Sequence, residues 1–69
     1  METKYIDGKW ILRRWDNKQK RWMYLVAYRE KGPMRSAWSA DENKAHRYSE
    51  DRIKYVWRKL LRDNLYRTL

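Results

Sequence analysis

The sequence predicts an α+β fold, an antiparallel meander of three strands with a long C-terminal helix packed on one face; a fourth strand joins if the N-terminus pairs. Three observations predict it. Residues 9–38 carry four of the five tryptophans and read as strands broken by two turn signals. From Glu50 onward Ile53, Val56, Trp57, Leu60, Leu61 and Leu65 recur at helical spacing, with neither Gly nor Pro. Between these parts the chain turns polar and carries Ser39 and Ser49, each able to cap a helical turn.

The elements follow in order. Met1 to Ile6 suits a short edge strand ahead of the Asp7, Gly8 turn pair. Lys9 to Trp15 is the first firm strand. Asp16 to Gln19 is a turn in which Asp and Asn can fold back onto their own backbone. Lys20 to Arg29, rich in aromatic and β-branched residues, is the longest strand and the central one. After a second turn at Glu30 to Pro33, Met34 to Trp38 makes a shorter strand whose start beside Pro33 needs no ladder donor. A short helical turn is expected over about 41–47, with Ala45 and Tyr48 facing the same way. Ser49 caps the long helix, about 50–66, and Glu50 and Asp51 complement the positive end of its dipole.

With four-residue loops, Trp15 lies opposite Lys20, Arg13 opposite Trp22, Trp10 opposite Leu25, Tyr28 opposite Arg35 and Leu25 opposite Trp38. One face then holds Trp10, Leu12, Met23, Leu25, Ala27, Met34 and Trp38, the surface on which the helix stripe packs. The other holds Ile11, Arg13, Trp15, Lys20, Trp22, Tyr24, Val26, Tyr28 and Arg35, a mixture of rings and cations. A slip of one residue in a pairing would change which side chains share a face.

At 69 residues there is room for one small domain, residues 1–69, of marginal stability. Cysteine is absent, so no disulfide supplements the core, and with His46 as the lone histidine neither a structural zinc site nor any other metal or cofactor is expected. Eighteen Lys and Arg against nine Asp and Glu give a formal charge of +9, a field that concentrates polyanions near the chain. No apolar run approaches a membrane span, and METKYIDGKW lacks the apolar core of a signal peptide, so a cytoplasmic or nucleoid-associated protein is expected.

An enzyme is not expected. There is no Gly-rich phosphate loop, no Cys, and no Ser beside a His in a nucleophile motif. Helix starts account for Asp41, Glu42, Glu50 and Asp51, and His46 reads as a surface residue. The ring-and-cation face has more content, because flat aromatic surfaces stack on bases while Arg and Lys neutralise phosphates with release of counterions. Its candidate nucleic-acid-binding residues are Arg13, Trp15, Trp22, Tyr24, Tyr28, Lys20 and Arg35, with Lys18 at the hairpin tip. The alternative is that these rings bury against the N-terminal residues, the segment 39–48 or a second subunit. Lys54, Arg58 and Arg62 form a secondary basic face on the helix, read either as solvated or as contacting phosphate.

Three antiparallel strands followed by a helix, with Arg and aromatic residues on the open sheet face, resemble the sheet-type DNA readers, among them AP2 domains and the arm-binding N-terminal domains of phage integrases. The resemblance covers residues 9–65 in element order and implies a sheet docked in the DNA major groove. The connection from Ser39 to Tyr48 departs from the shorter one in those families. Separately, Trp38, Ser39, Ala40 and Asp41, then Lys44, Ala45, Tyr48 and Ser49, are similar to small uncharacterised proteins common in bacteriophage genomes. Together these features point to non-enzymatic nucleic-acid binding, DNA ahead of RNA. The alternative is a small interaction or inhibitor protein whose Trp and Arg patch meets an acidic host protein or a second copy of the chain as a homodimer.

Overall fold

The computed structural model describes residues 1–29 and 36–67, with side chains described as far as residue 62. Strands β1 (Glu2–Ile6), β2 (Lys9–Asp16), β3 (Arg21–Tyr28) and β4 (Ser36–Ser39) pair antiparallel in the order β1-β2-β3-β4. A 3-10 turn (Glu42–Lys44) and one helix, α1 (Glu50–Arg67), follow. The fold is the expected α+β meander in its four-stranded form, with the helix packed against β2.

β1 joins β2 through Asp7 and Gly8, which adopt positive φ angles of 48° and 82°. Two consecutive left-handed residues make the two-residue turn whose twist matches the strands it joins, and Asp and Gly are residues that accept it. The next turn falls one residue later than expected. Asp16 stays in β2 opposite Arg21, its Oδ1 accepting from the backbone N–H of Lys18 at 2.9 Å and Gln19 at 3.2 Å. Its carbonyl accepts from Lys20 N–H at 2.8 Å, and Lys20 takes the left-handed conformation with φ 56°. Trp15 therefore lies opposite Trp22, and Arg13 opposite Tyr24, in place of the expected Lys20 and Trp22. Each pairing moved by two positions, so the assignment of side chains to faces survived.

Between β3 and β4 the expected pair Leu25 and Trp38 forms, but the ladder then slips and Tyr28 faces Ser36. The irregularity falls at Val26, which adds one residue on β3 and reverses the alternation beyond it. Tyr28 accordingly packs against the helix-side cluster, not on the ring-and-cation face. Met34, Arg35 and the turn at Glu30 to Pro33 lie outside the described residues.

β2 and β3 are paired only from Arg13 and Tyr24 to Asp16 and Arg21. Below that point the connection to the helix takes the place between them. Trp10 and Tyr48 exchange both backbone hydrogen bonds, at 2.8 and 2.7 Å, and His46 N–H donates to the Leu25 carbonyl at 3.0 Å. The two-residue turn at Asp7 and Gly8 explains this: it directs the Trp10 N–H and C=O away from β1, where buried backbone groups must find another partner. The expected pairing of Trp10 with Leu25 is thus replaced by an interposed segment. Because that segment is extended, Ala45 and Tyr48 fall in different clusters on opposite sides of the sheet, not on one side of a helical turn.

Two clusters result. On the helix side Leu12, Leu25, Tyr48, Ile53, Val56 and Leu60 are buried, with Trp10, Tyr28, Trp38, Tyr55 and Trp57 packed against them. Burying each aliphatic side chain contributes about 1.5–3 kcal/mol before ordering costs. On the other side Ile11, Tyr24 and Ala45 are buried, with Ile6 and Trp22 beside them. The 3-10 turn lies over this side against β3, capped by Asp41, whose carboxylate accepts from Asn43 N–H at 2.9 Å. Ser49 caps α1 through its hydroxyl, which accepts from Arg52 N–H at 3.3 Å. Leu61, counted in the buried stripe, is 42% exposed, and the Leu65 side chain lies outside the described ones.

Candidate functional site

The ring-and-cation face does not stay open along its length. Its lower half is roofed by the 3-10 turn: Ala45 covers Ile11 and Tyr24, and Lys4 Nζ holds Glu42 Oε1 at 2.8 Å across the gap. Tyr24, a candidate contact, is a core residue with 9% of its surface exposed. Among the described residues, none covers the upper half, toward the β2–β3 hairpin tip, in this way.

There Trp15 and Trp22 stand as a directly opposed pair with ring centroids 5.5 Å apart and planes at 78°. The edge-to-face arrangement matches the aromatic quadrupoles and props the outer ring. Trp22 is half-buried on the second cluster, whereas Trp15 is 47% exposed. Arg13 lays its guanidinium over Trp22, 4.0 Å from the ring centroid, and its Nε donates to Glu2 Oε1 at 2.6 Å. Burial alone works against the Arg13 charge, but hydrogen bonds and charge attraction from Glu2 and Tyr24 outweigh it and raise the pKa above its ordinary value. Arg13 is a positioned cation already paired within the chain.

The exposed cations are elsewhere on the tip. Lys18 and Lys20 belong to the loop and Arg21 to the first position of β3, all exposed. Arg14, on the helix side of the sheet but beyond the helix, is exposed with its guanidinium 4.3 Å from the Trp38 ring centroid. A shallow groove of about 330 Å³ runs past Arg14, Trp15, Asp16, Asn17 and Lys18. Asp16 turns Oδ1 to the loop N–H groups, so one oxygen of this single acid among them is occupied.

The structure thus brings together Trp15, Trp22, Arg13 and, at the tip, Lys18 and Lys20. It separates Tyr24, which is buried, and Tyr28, which is on the other side; Arg35 lies outside the described residues. Arg14 and Arg21 are tip residues outside the sequence-predicted candidates; strand alternation with Leu12 and Met23 sets them on the helix side. Their place next to Trp15 and the loop was the available signal, since a helix spans only part of a sheet face. On α1, Lys54, Arg58 and Arg62 are exposed. Lys54 sits 3.8 Å from Glu50, one turn back, and with Arg58 borders a second groove of about 330 Å³ against Thr3, Trp10, Ile53 and Trp57. His46 is exposed, its ring 4.3 Å from that of Tyr48. Among the described residues no three His, Asp or Glu side chains gather to hold a metal ion, and no helix is long and apolar enough to cross a membrane.

Fold and site define a small basic α+β domain that displays a supported tryptophan on a cationic hairpin tip. Comparison with protein-family models, with curated proteins and with solved structures finds no match for the chain.

Proposed function

We propose that this is a non-enzymatic nucleic-acid-binding protein that engages its ligand with the β2–β3 hairpin tip rather than the whole sheet face. An unpaired base stacks on Trp15, and phosphates lie against Arg14, Lys18, Lys20 and Arg21. The observation that carries the reading is the exposed Trp15 ring, held edge-to-face by Trp22 and sharing a groove with Arg14 and Lys18, in a chain of charge +9. Stacking on an exposed ring tolerates any base and needs an unpaired one, so single-stranded DNA is the ligand placed first, ahead of duplex and RNA. Such a ligand implies a cytoplasmic or nucleoid setting.

Titration of the full chain with single-stranded DNA, duplex DNA and RNA of one length, across a salt series, tests this. With three or four phosphates neutralised, the log–log dependence of affinity on salt should have a slope of roughly −2 to −3 for the single strand. Absence of binding to every nucleic acid at low salt abandons the proposal. In that event the same Trp and Arg tip is better read as a hot spot for an acidic protein partner, where buried aromatic and Arg anchors dominate.

A further inference from the structure

The outer edge of the sheet carries an inference independent of the hairpin tip. β1 is the first strand of the order β1-β2-β3-β4, and among the described strands it has β2 alone as a neighbour. The two-residue turn at Asp7 and Gly8 makes Ile6 and Lys9 exchange hydrogen bonds, so bonding to β2 falls on Glu2, Lys4 and Ile6. The backbone groups of Thr3 and Tyr5 therefore point outward. An edge of this kind is a template for another strand unless its side chains forbid pairing.

We propose that β1 pairs antiparallel with β1 of a second copy of this chain, about a two-fold axis through Thr3. The charges select that register. With Thr3 opposite its own copy, Glu2 of each chain lies opposite Lys4 of the other, whereas a dyad at Lys4 would set two lysines against each other. The register extends pairs already present: Glu2 holds Arg13 and Lys4 holds Glu42, so two rows of alternating charge, Arg13, Glu2, Lys4, Glu42, would cross the junction.

The other face agrees. Met1, immediately before β1, and Tyr5 within it are 37% and 60% exposed, two large side chains outside the core. The same register sets Met1 of one chain opposite Tyr5 of the other, a sulfur-aromatic contact that covers both. A foreign strand would have to reproduce this pattern of acid, cation and ring. The second copy does so by symmetry. The opposite edge, β4, is four residues long and has no charged residue with which to fix a register.

Sedimentation equilibrium and cysteine crosslinking of the full chain test the pairing, at about 0.3 M salt to screen repulsion between the two charges of +9. The mass should rise from 8.8 kDa toward twice that value with concentration. The chain has no cysteine, so introduced ones report register alone. Thr3→Cys should crosslink to itself on mild oxidation, because its Cα atoms would be about 5.5 Å apart; Tyr5→Cys should not, at about 14 Å. Glu2→Cys and Lys4→Cys should crosslink when mixed and not singly. Thr3→Pro, which leaves the bonds to β2 intact, should weaken association at least about tenfold with unchanged circular dichroism. A mass that stays at 8.8 kDa up to about 1 mM, or equal crosslinking at Thr3→Cys and Tyr5→Cys, overturns the proposal. Neither result depends on nucleic-acid binding.

Discussion

At the hairpin tip β2 and β3 are zipped together, and at their other end they are held apart by the segment Ala45–Tyr48; the two ends put aromatic side chains to opposite uses. At the parted end the strands lie between a helix on one side and a 3-10 turn on the other; Trp10 and Tyr48 pack on the helix side, and Tyr48 is 7% exposed. At the zipped end neither cover reaches, and Trp15 is 47% exposed. Both ends carry tryptophan next to a cation in the sequence, Lys9 beside Trp10 and Arg14 beside Trp15. What separates core from open surface here is how far the two covering elements extend along the strands, a property of the connections rather than of the strands.

The contrast breaks most completely at the parted end. Leu25 is fully buried, and its carbonyl receives the His46 N–H that anchors the interposed segment. Leu25→Ala should remove about 2–5 kcal/mol, set by how far the helix can settle into the space. A domain of this size has only about 3–10 kcal/mol in total, so the variant should lose a large share of its stability and melt well below the parent. Thermal melting followed by circular dichroism reads this directly. A loss below about 1 kcal/mol would mean that the helix does not bear on β3.

A smaller effect isolates the segment itself. Burial raises the Tyr48 phenol above its ordinary value of about 10, with the Arg52 charge acting in the opposite sense. The folded chain therefore favours the neutral phenol. Its contribution to stability is complete below about pH 10 and is lost as pH rises through the higher folded-state value. Tyr48→Phe keeps the ring and removes the ionisation, so its alkaline unfolding midpoint should lie above that of the parent. Identical alkaline limbs would show that the Tyr48 hydroxyl reaches water in the folded state.

The zipped end was largely legible in the sequence and the parted end was not, for a physical reason. Period-two alternation fixed which residues of β2 share a face, and the turn error at Asp16 moved partners by two places, so Trp10 and Leu12 stayed apart from Ile11, Arg13 and Trp15. Tyr28 was misplaced because Val26 carries no mark of a bulge: no Gly interrupts the strand there, and the extra residue is decided by how β4 seats against Leu25. The roof over Ile11 and Tyr24 escaped notice because it depends on the strands parting. Ala45, His46 and Tyr48 look helical when read alone. Their extended course is set by the unmet backbone groups of Trp10 and by Leu25, far away in sequence.

The smallest stability effect, and the one that sharpens the contrast most, belongs to Trp15. Half of this ring already meets solvent, and its one described ring partner is Trp22. Trp15→Ala should therefore cost no more than about 1 kcal/mol, the worth of a cross-strand aromatic pair. The same change should weaken single-stranded DNA binding by about tenfold or more, since a stacked base contributes roughly 1–3 kcal/mol, while the salt slope set by the tip cations stays as it was. Lys18→Ala should do the reverse, lowering the slope by about 0.7 and affecting all strands alike. If Trp15→Ala instead unfolds the domain, the ring is part of the core and the two ends of the sheet do not differ; if it leaves both folding and binding untouched, the bases lie elsewhere, and the groove beside Lys54 and Arg58 becomes the next surface to alter.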